Sequence, residues 1–162
     1  MDTAEIRDET QNGQGAPALE AAGLRMWVHG RQSPSAHDPD EGNRLSATIH
    51  CESDAVSVKS EDAIIRSSDI AQWRRGCRSL VNGKSALARL SLKKGVFEVV
   101  LQTTEDHERF HLHVAVVPGE GAKAQSFEFD LFRHELEEMV RQCDALLETY
   151  PVRGKNLPEN AE

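Results

Sequence analysis

A chain of 162 residues is most simply one domain, large enough to bury about two-thirds of its unfolded-chain surface. Its formal net charge of −8 argues against a nucleic-acid binder, which shows a basic face. No stretch approaches the ~20 apolar residues of a membrane span. Three cysteines without a close-spaced pair (Cys51, Cys77 and Cys143) fit a reducing compartment.

Much of the acidity sits at the ends. Residues 1–22 carry Asp2, Glu5, Asp8, Glu9 and Glu20 against Arg7, and residues 155–162 carry Glu159 and Glu162 against Lys155. Both stretches lack a sustained apolar period, so they are predicted as a disordered leader and tail flanking a single domain at 23–154. The first residues are acidic and lack the basic-then-apolar layout of a secretion signal, so the expected location is cytoplasmic.

Leu24 to His29 alternates, with Leu24, Met26 and Val28 on one face and Arg25, Trp27 and His29 on the other; this predicts a first strand. Gly30 to Gly42 carries Pro34, Pro39 and the acids Asp38, Asp40 and Glu41, and reads as a loop. Leu45, Ala47, Ile49 and Cys51 alternate with Ser46, Thr48 and His50 in a second strand. After a turn at Ser53–Asp54, a return strand starts at Val56 and Val58 and runs on weakly through Ile65. Ser67-Ser-Asp69 signals a helix start, and Ile70, Trp73, Cys77, Leu80 and Val81 follow at helical spacing until Asn82-Gly83. A short helix is expected at about 68–81.

From Ser85 the period returns to two. Ala86 to Leu92, Phe97 to Thr103 and Phe110 to Val117 alternate, joined by Lys94-Gly95 and by a polar loop at Thr104–His107. Phe127 and Phe129 lead into a long helix at about 131–149. Phe132, Leu136, Met139, Val140, Cys143, Leu146, Leu147 and Tyr150 form its apolar stripe, Asp130 is placed to cap it, and Pro151 forbids continuation. The expected fold class is α+β: an antiparallel meander sheet with both helices packed on its apolar face. No internal repeat is visible.

Chemistry is harder to find. His111 and His113 leave one face of a strand, and Glu128 and Asp130 lie on the matching face of the next, so a metal site or enzyme centre there is one reading. Solvated outer-face residues are the plainer one. Cys51 with His50 fails as a nucleophilic pair because strand neighbours point apart. Cys143 and His134 lie on opposite sides of their helix. No phosphate loop, nucleophile elbow or paired-histidine zinc motif occurs. No cofactor is called for. Trp27 points away from the presumed core, as an interface anchor or as a ring covered by the leader or by a loop.

The order of strand, acidic loop, strand, helix, meander and terminal helix resembles the WapI-family immunity proteins. The residues that carry this are Leu24–His29, Glu41-Gly-Asn43-Arg-Leu45, Ile70-Ala-Gln-Trp73 and the segment from Phe127 to Tyr150, closed by Tyr150-Pro-Val-Arg-Gly154. Arg44 stands where the family usually has Trp. The resemblance implies a non-enzymatic cytoplasmic protein that binds and neutralises a bacterial toxin. Charge and the lack of a long apolar run add the expectation of no nucleic-acid or membrane partner, and a monomer or homodimer is expected. The expected contact residues are Trp27, His29, Asp38, Asp40, Glu41 and His50. Two other classes stay open: a small-ligand- or metal-binding domain or enzyme on the His111/His113 face, and a homodimeric structural or regulatory module.

Overall fold

A computed structural model describes residues 15–92, 97–118 and 121–154. The strands are β1 (Leu19–Ala21), β2 (Leu24–Arg31), β3 (Arg44–Glu52) and β4 (Ser57–Arg66), then β5 (Leu87–Ser91), β6 (Phe97–Thr103), β7 (Arg109–Val116) and β8 (Gln125–Phe132). Helix α1 (Ser67–Val81) follows β4, and α2 (Arg133–Thr149) follows β8. The class is α+β, as expected. The single meander divides into two: β1-β2-β3-β4 form one antiparallel sheet and β5-β6-β7-β8 another. Alternation marks which residues belong to strands, but it does not say where one sheet stops. Here α1 stands between β4 and β5, and among the described residues no pairing crosses it.

Each half is therefore four strands in meander order followed at once by a helix. The helix starts match closely. The Arg66 N–H donates to the Asp69 carboxylate (2.9 Å), and the Phe132 N–H donates to that of Glu135 (2.8 Å). In each case an acid three residues on satisfies an orphan donor and complements the helix dipole. Ile70, Trp73, Cys77 and Leu80 occupy the buried positions on α1 that Leu136, Met139, Cys143 and Leu146 occupy on α2. The repeat is one of burial pattern rather than residue identity, which is why no repeat is legible in the sequence.

Two details of the long helix differ from expectation. Asp130 does not cap it, because β8 continues to Phe132. Phe132 accordingly leaves the apolar stripe and stands exposed at the strand's end.

The two helices pack on each other, α1 also against β5 and α2 also against β1. Arg74 of α1 forms an ion pair with Asp144 of α2. The docking of α2 explains a further difference. Residues 19–21, assigned to the leader on composition, form β1 in register with β2 (Leu19 opposite Met26, Ala21 opposite Leu24), and the Glu20 N–H donates to Gln142 Oε1 of α2 (2.9 Å). Three residues carry too little pattern to read as a strand alone; burial of Leu19 and Ala21 beneath α2 holds them. The turn into β2 needs Gly23, since a Cβ there would lie 2.0 Å from the Glu52 carbonyl oxygen.

The inner faces of both sheets and the two helix stripes share one core, with Met26, Leu45, Ile49, Phe97, Phe110 and Leu136 all under 2% exposed. Residues 1–14, Lys94-Gly95 and the tail 155–162 lie outside the described residues.

Candidate partner-binding face

The outer face of the first sheet gathers much of what the sequence singled out. Register places Trp27 opposite Thr48 and Arg25 opposite His50, with Lys59 of β4 beyond His50. Trp27 does not stand free. Its indole N–H donates to the Gly15 carbonyl (2.9 Å), so the segment before β1 lies along the ring and leaves it half-buried. Thr48 beside it is only 3% exposed although it faces outward. Its hydroxyl meets His29 Nε2 at 2.8 Å, and His50 Nε2 meets the Ser57 hydroxyl at the same distance. Burial pushes the His50 pKa down, and Arg25 and Lys59 add to this against an opposing pull from Glu52. Trp27, His29 and His50 thus share one surface, with Ile64 exposed at its border.

The acids of the loop are differently placed. Asp38 turns inward on its own loop, accepting from the backbone N–H groups of Glu41 (2.9 Å) and Asp40 (3.2 Å), and the Glu41 bond first of all holds its pKa down. Asp40 joins two guanidinium groups: Arg66 donates from Nη2 (2.5 Å) and Nε (2.9 Å), and Arg44 donates from Nη2 (3.1 Å). These bonds, those of Arg66 foremost, hold its carboxyl below the usual range. Glu41 opens a single 3₁₀ turn (Glu41–Asn43) and is exposed. So Asp40 lies at the end of the Trp27 face, already matched by two cations, whereas Asp38 and Glu41 belong to the loop that borders it.

That loop is clamped by residues the sequence did not mark as contacts. Asn43 is buried (1% exposed) and bonds both to Pro39 within the loop and to the backbone of Arg153. Arg31 donates to the carbonyls of Gly42 (2.6 Å) and Pro151 (2.7 Å), and its guanidinium sits 5.8 Å from the Tyr150 ring centroid. Arg153 donates to the carbonyls of Pro34 and Ala36, both at 2.7 Å. The signal for this clamp lay in two quoted segments, Glu41–Leu45 and Tyr150–Gly154. Sequence alone does not say that they meet.

On the second sheet, His111 lies 3.5 Å from Glu128 and 3.9 Å from Asp130, on an outward, solvated face. Among the described residues no group of three or more His, Cys, Asp or Glu side chains is disposed to hold a metal ion. Cys51, Cys77 and Cys143 are all buried free thiols. Burial pushes Cys51 and Cys143 up to about 12 and Cys77 well above the ordinary thiol value. A thiol held protonated is a poor nucleophile. The described residues include no helix long and apolar enough to cross a membrane.

Residues 17–151 match the model of the WapI-like immunity protein family, from just before β1 to just past α2. The chain belongs to that family. The match takes in both sheets, both helices and most of the clamp. No curated protein matches. Among the solved structures to which the chain shows low similarity are two with related descriptions. One is from a guide-RNA-binding protein complex bound to a guide RNA, with TM-score 0.44 and 10% identity, covering 80% of this chain and 92% of that one. The other is from the Trypanosoma brucei MRP1/MRP2 structures, with TM-score 0.44 and 10% identity, covering 92% and 96%. At that level neither bears on what this family member binds.

Proposed function

We propose that this protein is a cytoplasmic immunity protein that binds a bacterial toxin and neutralises it by occupation rather than by catalysis. The observation that carries the reading is the family match over residues 17–151. The outer face of the first sheet is the proposed contact surface. Trp27 supplies a large ring fixed at its N–H, and His29 and His50 supply polar groups steadied by Thr48 and Ser57. Such a face is built before the partner arrives, which reduces the ordering cost of association. Asp40 and Glu41 border it, and Asp38 keeps their turn in shape.

The test is co-expression with the product of the neighbouring gene, chosen because the family reading expects a toxin there. Cells should grow when the protein is present and die when it is not. Trp27→Ala should weaken protection while leaving the fold intact, because the ring lies on the outside of its sheet. Asp40→Lys should weaken it as well, by placing a third cation against Arg44 and Arg66 at the border of the face. Full protection by both variants would remove this face from the proposal, and no protection by the parent would remove the toxin reading itself.

A further inference from the structure

The two halves of the fold are not covered equally. Arg66 and Phe132 hold equivalent places, each the last residue of a fourth strand whose N–H is tied to an acid in the following helix. In the first half, the long loop 32–43 folds over this position, and Asp40 pairs with Arg66, whose side chain is 19% exposed. In the second half, the equivalent connection between β6 and β7 is only residues 104–108. It does not screen Phe132, which is 45% exposed.

Phe132 is nevertheless held in place. The Arg109 guanidinium lies 5.3 Å from its ring centroid, and the His134 ring stacks parallel to it at 6.1 Å, with 4° between planes. Beside it is a shallow depression lined by Glu108, Phe132, Arg133, His134 and Glu137. Arg133 is committed elsewhere. It donates to the Val81 carbonyl at the end of α1 (2.6 Å) and the His107 carbonyl (3.2 Å), and it meets Glu108 at 3.3 Å. It forms a fixed wall rather than a free cation.

A rigid, exposed aromatic ring at the rim of a depression is what an interface anchor looks like before it is covered. Counted against the Arg109 and Arg133 guanidiniums, the four carboxylates of Glu108, Glu137, Glu128 and Asp130 leave this corner with an acidic excess, which selects the occupant. Glu137 has no ion-pair partner among the described residues, and Glu108 keeps 69% of its side chain exposed despite Arg133. Glu128 and Asp130 extend the acidic character along β8, with side chains 65% and 60% exposed. We infer that the corner between β8 and α2 seats an arginine or lysine of the partner protein, its alkyl stem against the edge of Phe132 and its cationic head at Glu137 and Glu108. Long cationic side chains bury their stems on apolar surface in this way and keep the head at polar groups. The inference rests on the toxin reading above and adds that the toxin presents a basic surface to this corner.

The experiment is an NMR titration of the isotope-labelled full chain with a blocked Ala-Arg-Ala-Arg-Ala peptide, with the glutamate analogue as control. The expected result is saturable shifts at the amides of Phe132 to Glu137 with the arginine peptide only. Phe132→Ala and Glu137→Gln, each checked for folding by circular dichroism, should weaken binding about tenfold. Both sites are on the surface, so neither change removes a core contact. Shifts centred elsewhere, equal binding by the variants, or no shift at all would overturn the seat. The titration does not involve the toxin, so those outcomes leave the family reading standing, whereas a parent protein that fails to protect cells overturns that reading on its own.

Discussion

Asn43 and Arg153 are bound to each other twice: Asn43 Nδ2 donates to the Arg153 carbonyl (3.0 Å), and the Arg153 N–H donates to Asn43 Oδ1 (2.7 Å). One buried side chain thus acts as a strand partner for a segment that arrives from the far end of the chain. The second Nδ2 hydrogen goes to the Pro39 carbonyl (2.8 Å), so both amide hydrogens are used. This is how the last residues after α2 come to shape the loop beside the candidate contact face.

The consequence is testable by a change of one atom. Asn43→Asp replaces the amide donor with an oxygen that faces two carbonyls and can bond neither. A buried carbonyl left unpaired costs about 1–3 kcal/mol, and a buried carboxylate costs more. The expected loss in urea unfolding is therefore at least about 2 kcal/mol, with faster proteolysis in loop 32–43. Gly154→Ala should act on the same clamp, because Gly154 holds φ +101° and a Cβ there would lie 2.9–3.1 Å from Pro39. If the loop resists protease equally in parent and variants, the clamp is not what holds it.

Where the sequence could be read, and where it could not, follows from the range of each interaction. Strand alternation and helix stripes are local, so β2 to β8 and both helices were legible, down to Cys77 and Cys143 as packing residues. Within the stripe, Leu147 is only partly buried while Leu146 is 6% exposed, a difference set by how α2 lies on β1 and α1. Three things depend on distant contacts and were not legible. These are β1, which needs α2; the division into two sheets, which needs α1 between them; and the pairing of Asp40 with Arg66 across 26 positions. The outer-face histidines could be assigned to a face from parity alone. The cover over Trp27 could not, because Gly15 reaches it only once β1 has paired.

His50 gives the face a signature in pH. Its folded-state pKa is lowered, chiefly by burial. On acidification the unfolded chain takes up this proton near pH 6.5, before the native state does. The stability tied to His50 is therefore present above about pH 6.5 and is lost as pH falls from there toward the lower native value. His50→Gln should flatten that part of the stability curve, measured as urea midpoints between about pH 7 and 5. An NMR titration should show His50 protonating below the ordinary histidine range. A native midpoint at or above that range would mean that burial does not govern this ring.

The three thiols report on the core from the alkaline side, and here the sign is opposite. Burial raises Cys51 and Cys143 to about 12 and Cys77 well above the ordinary thiol value, whereas an unfolded-chain thiol ionises near 8.5. Below that value both states hold the proton and the contribution is complete. As pH rises, the unfolded state loses protons that the native state keeps, so stability falls from about pH 8.5 toward 12. Ellman's reagent should therefore find no reactive thiol in the native protein at pH 8 and three in urea, matching the three cysteines of the chain. Cys143→Ala should lower the denatured count by one and reduce the alkaline loss. It should also cost about 1–2 kcal/mol at neutral pH, because it removes a fully buried sulfur between the packed helices. Reaction of Cys77 or Cys143 within minutes at pH 8 would show that α1 and α2 part readily, and the helix pair could not then be the fixed centre on which both sheets are mounted.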